Sequence, residues 1–134
     1  MRPVSAASTP SRTLLKAGFR GGAILGAFTV VFAVLGLTPS LSWIPEAPLL
    51  AVAGVVPAAI ILLVGYRSYK ATRDTVSGLI SGATAGALGG LVGGLAYVAY
   101  GKSPVNIAAG LVSGAIAGGL FGQIGAVAAH RRTT

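Results

Sequence analysis

At 134 residues, with 54% hydrophobic and 9% charged residues, the chain is one domain with far less charge than the roughly 25% of an average soluble protein. Its net charge of +8 invites comparison with nucleic-acid-binding proteins, but the charges stand outside four long uncharged stretches, 21–45, 47–66, 75–101 and 103–129. A bilayer core of roughly 30 Å takes about 20 apolar residues per helix, so the expected class is an all-α polytopic membrane protein with no nucleic-acid partner.

Residues 1–13 are rich in Ser, Thr, Ala and Pro and are expected to form a disordered cytoplasmic tail, leaving 14–134 as the transmembrane domain. The first helix is predicted over about 17–37, with Arg20 a turn inside it and its guanidinium reaching the lipid headgroups. The loop that follows is short and proline-rich, and Trp43 suits the outer interface. The second helix, about 47–66, is rich in Val, Ile and Leu and contains Pro57, which removes one backbone donor and predicts a kink. Arg67, Lys70 and Arg73 then form a basic inner loop, where Lys70 and Asp74 are spaced for an exposed ion pair and Asp74 is placed to cap the third helix. The third helix spans about 75–100 and the fourth about 106–129, followed by Arg131 and Arg132. Tyr66 and Tyr69 fall at the inner interface, Tyr97 and Tyr100 at the outer one.

All ten basic residues except Lys102 fall on one side of this four-span topology. Positive residues collect on the cytoplasmic side, so both termini are expected there, in the cell membrane. Arg20, Arg67, Lys70, Arg73, Arg131 and Arg132 would meet anionic headgroups, at about 1 kcal/mol per residue near the surface.

The third and fourth helices carry a repeat. Gly78-Leu79-Ile80-Ser81-Gly82-Ala83-Thr84-Ala85-Gly86 is similar to Gly110-Leu111-Val112-Ser113-Gly114-Ala115-Ile116-Ala117-Gly118. Duplication and convergence on a packing pattern both account for it. Gly78, Gly82, Gly86, Gly90 and Gly94 recur every fourth residue, as do Gly110, Gly114, Gly118 and Gly122. Such residues form a slanted ridge on a helix, and missing side chains along it admit a second backbone. Glycine-zipper packing is therefore expected, with the third and fourth helices as a close antiparallel hairpin, Gly94 facing the region of Gly110 and Gly82 that of Gly122. A second smooth ridge, Ser77, Ser81, Ala85, Gly89 and Gly93, makes the third helix the expected centre. The first helix has only Gly18, Gly22 and Gly26, and the second shows no such ridge.

No Asp, Glu, Lys, Arg or His lies in the middle of the predicted spans, as proton relays and ion-coupled carriers need. Cysteine is absent, which excludes disulfides and thiolate chemistry, and His130 has no acidic partner nearby in sequence. The hydroxyl residues lack a neighbouring base. Neither catalysis nor a cofactor or metal is expected. Gln123 is the one strongly polar residue within a span, and an interhelical hydrogen bond to Ser81 or Thr84 is its expected role.

Lys70, Asp74, Ser81, Gly82 and Gly86 resemble the tail of the motif in organellar preprotein and amino-acid transporters, which also have four glycine-rich spans. That family uses arginine where Lys70 stands, and its upstream aromatic falls at Ala59. The expected function is association through helices, as a homo-oligomer or an accessory subunit of a larger membrane complex. The alternative is a pore or small carrier, including a holin-like lesion.

Overall fold

The computed structural model describes residues 9–37 and 43–134. These form four α-helices in chain order: α1 Thr9–Leu37, α2 Glu46–Thr72, α3 Val76–Ala99 and α4 Val105–Thr133. Each is long and apolar enough to cross a membrane. Helices suit that setting because every interior N–H and C=O is satisfied within the segment.

Helices α1, α2 and α4 outrun their predicted spans, while α3 matches its own to within a residue at each end. Helix α1 begins at Thr9, so residues 9–13 of the expected tail are helical, while 1–8 lie outside the described residues. Arg67 and Lys70 ride on the last turns of α2, and Arg131 and Arg132 on the end of α4. The inner loop shrinks to 73–75. Arg73 adopts the left-handed conformation (φ 59°) and returns its N–H to the Tyr69 carbonyl at 2.7 Å, ending α2. The Asp74 carboxylate accepts the Val76 N–H at 3.0 Å at the start of α3. Lys70 makes no ion pair with Asp74; its ammonium lies 5.3 Å from the ring centre of Tyr66. At the other end of α3, Gly101 (φ 80°) turns the chain into α4, and the Lys102 N–H bonds the Tyr97 carbonyl at 3.1 Å.

Helix α3 touches each of the other three, whereas α1 and α4 do not meet. Neighbours in sequence run antiparallel, α1 lies parallel to α3, and α2 lies parallel to α4. Helix α2 runs continuously through Pro57 and is the least enclosed of the four, its buried residues (Ile61, Gly65, Ser68 and Tyr69) all lying in its second half.

Candidate functional site

Helices α3 and α4 approach each other backbone to backbone along most of their length. A Cβ placed on Gly86 would strike the Gly114 carbonyl and come within 2.9 Å of the Gly118 Cα. Gly82 sits likewise between Gly118 and Gly122, Gly78 against Gly122, and Gly90 against Gly110. A Cβ on Gly94 would come within 2.5 Å of the Asn106 carbonyl and 2.6 Å of the Ile107 Cα, so its main partners lie a turn beyond Gly110; the Gly94 amide nitrogen is 3.5 Å from a Cβ on Gly110. Nothing larger than hydrogen fits along this line without moving a backbone.

The glycines of α1 work differently. Gly18, Gly22 and Gly26 face the side chains of Thr84, Leu88 and Val92; a Cβ added to each would stand 2.7, 2.6 and 3.3 Å from the Cβ opposite. This places a row of α3 side chains over the small residues of α1, side chain into groove rather than backbone on backbone.

This register also places Arg20. Gly18 lies beside Ser81 and Thr84, and Gly22 beside Ala85 and Leu88, so Arg20 between them is level with the middle of Val76–Ala99. It is exposed on the bundle surface. Because α1 starts at Thr9, Arg20 lies about three turns inside the helix rather than one. Arg67, Lys70, Arg73, Arg131 and Arg132 are exposed at the shared end formed by the α2 and α4 C-termini.

Helix α2 is pinned by contacts that its sequence did not advertise. A Cβ on Gly65 would strike the Gly122 backbone, and one on Gly125 the Leu62 carbonyl. The buried Ser68 hydroxyl donates to that of Ser81 at 2.8 Å, and Ser81 donates to the Ser77 carbonyl at 2.8 Å. The Tyr69 hydroxyl and His130 Nδ1 lie 2.7 Å apart with the rings edge to face. Tyr69, only 5% exposed, packs on Ala126 and Ala129, so it faces protein and not the headgroups. The available signal was Gly65, Ser68 and Thr72, small residues at helical spacing next to two tyrosines.

Gln123 does not make its expected bond. Its Oε1 is buried without a partner. Ser81 is committed to Ser68 and Ser77, and the Thr84 hydroxyl donates to the Ile80 carbonyl at 2.8 Å while its methyl side meets α1. Gln123 instead follows by one turn Gly119, which faces Leu79 and Ala83.

All four helices border an open cleft of about 400 Å³. Its floor is the glycine face of α3 and α4 from Gly86 and Ala117 up to Tyr97 and Asn106, and Pro57 and Ile61 form the α2 wall. Inside it, Thr29 donates to the Leu25 carbonyl at 2.7 Å and Ser113 to the Ala109 carbonyl at 2.7 Å. Comparison with family models, with curated proteins and with solved structures finds no match. No group of three or more His, Cys, Asp or Glu stands together among the described residues.

Proposed function

We propose that the chain is a non-enzymatic multi-pass protein of the cell membrane, with both termini cytoplasmic, that acts through helix–helix association. Glycine-zipper packing of Gly78 to Gly94 on Gly110 to Gly122 makes its α3–α4 pair rigid, and α1 and α2 are carried on that pair. It works as a homo-oligomer or as an accessory subunit of a larger membrane complex.

Arg20 carries this reading. A guanidinium at mid-bundle depth on a lipid-facing surface costs about 2.5–3.5 kcal/mol on insertion scales, and residues of this kind are found paired. The acids of this chain are Glu46 and Asp74, which begin α2 and precede α3 at opposite ends of the bundle. A second copy has no mid-span carboxylate to offer, which favours the accessory-subunit form, with a partner helix that supplies one. A photocrosslinking residue at Ala23, exposed one turn from Arg20, tests this in the native membrane. The expected product is an adduct with a distinct membrane protein, reduced by Arg20→Gln. An adduct with a second copy assigns the homo-oligomer, and adducts with lipid alone contradict association at this face.

The second reading, a pore or small carrier, is favoured by the hydroxyls of Thr29 and Ser113 in the cleft. Labelling of cysteines along the cleft by a water-soluble thiol reagent would support it.

A further inference from the structure

The cleft differs from the glycine interfaces in being empty space rather than contact, and its dimensions are informative. Its α3 wall runs from Tyr97 to Gly86 and its α4 wall from Asn106 to Ala117, each ~16 Å long at about 1.5 Å per residue. That is half of the roughly 30 Å hydrocarbon core, the depth of one leaflet. The cleft therefore starts at the α3–α4 turn and stops near mid-membrane.

The polarity of the cleft changes along its length. At depth the walls are glycine, alanine, Leu25 and Ile61. The two hydroxyls there have already given their protons to carbonyls of their own helices. No uncommitted donor remains at depth to hold water or a polar solute. At the mouth stand the Tyr97 hydroxyl, with no partner among the described residues, and Asn106, whose amide donates to Ser103 and leaves its carbonyl oxygen open. Lys102, the one base at this end, lies in the turn joining the two walls and is exposed. Neither Lys102 nor Glu46, the acid at this end, lines the cleft itself; Lys102 is tied to its mouth through the N–H bond to the Tyr97 carbonyl, whereas Glu46 begins α2.

We propose that the cleft binds one acyl chain of an anionic phospholipid from the leaflet at the α3–α4 turn, with the headgroup against Lys102, Tyr97 and Asn106. The chain fills a one-leaflet slot of apolar lining, and the phosphate meets the Lys102 ammonium in the turn that joins the two walls. The volume, about 400 Å³, falls within the roughly 300–1,000 Å³ usual for small-molecule sites. This inference goes beyond the association reading and does not depend on it.

The test is native mass spectrometry of the intact chain released from nanodiscs that hold equal phosphatidylglycerol and phosphatidylcholine with identical acyl chains. One phosphatidylglycerol per chain is expected to survive. Ala109→Leu with Ser113→Leu fills the cleft from two exposed positions outside the tight interfaces and is expected to reduce retention at least tenfold. Lys102→Gln is expected to lower the preference for phosphatidylglycerol about fivefold, the factor attached to one base near an anionic surface. Equal retention of the two lipids by the unsubstituted protein, which involves no variant and no folding question, overturns the proposal. So does unchanged retention in the filled variant, or rapid labelling of Ser113→Cys by a water-soluble thiol reagent.

Discussion

The Ser68 hydroxyl donates to the Ser81 hydroxyl at 2.8 Å between α2 and α3, both side chains being fully or almost fully buried. With the contact of Tyr69, one residue further along α2, to His130 of α4, it fixes the C-terminal half of a helix whose N-terminal half packs loosely. Ser68→Ala and Ser81→Ala should each lower stability by about 0.6–1.7 kcal/mol, the range for interhelical hydrogen bonds in membranes. In a double-mutant cycle by thermal unfolding in detergent, the combined variant should cost less than the sum. Strict additivity would show that the two hydroxyls do not bond.

Glycines of one composition should divide sharply by place. Gly54 has nothing within 4 Å of a built Cβ, whereas Gly86 and Gly118 have carbonyl oxygens and Cα atoms in the way. Gly54→Leu and Ala59→Leu, both at exposed positions, should leave yield and thermal midpoint within about 0.5 kcal/mol of the parent. Gly86→Leu and Gly118→Leu should lose at least 3 kcal/mol, since the obstruction is backbone and cannot move aside. Equal yields and stabilities for all four would contradict backbone contact along the ridge.

Gln123→Leu is expected to be neutral or stabilising, by up to about 2 kcal/mol, because the buried Oε1 has no donor to lose. A measured loss above about 1 kcal/mol in detergent would show that the amide is bonded.

The proposed orientation rests on charge. Thr134 ends beside Arg131 and Arg132 at the basic end of the bundle. A reporter fused after it should be active only in the cytoplasm, and activity on the far side would reverse the topology.

The four spans were legible because charge is excluded from them, and the α3–α4 pairing because both helices repeat glycine at every fourth position. Helix ends were misread because basic residues look like loop when only hydropathy is considered. Tyr69 and His130 show that the last turns of α2 and α4 still face one another. The Gln123 assignment failed for a different reason. Counting inward from the helix ends gives depth but not direction around the axis. Ser81 points toward α2 and Thr84 toward α1, so neither is turned to an amide on the flank of α4. The register of α1 on α3 was hidden because helix offset is set by which glycine meets which side chain, here Gly22 on Leu88.

The two glycine ridges are spent on each other within one chain. Cysteines at Gly86 and Gly118 would themselves break that contact, so the informative pair lies beside it. A Cβ on Gly119 stands 3.6 Å from the Cβ of Ala83, close to the ~3.8 Å mean of disulfides. In this cysteine-free chain, Ala83→Cys with Gly119→Cys should oxidise in the membrane to an intrachain disulfide that keeps monomer mobility, while Leu63→Cys with Gly119→Cys stays reduced. Failure of the first pair to close within the chain, with crosslinked dimers in its place, would contradict the hairpin and assign the ridges to contacts between chains.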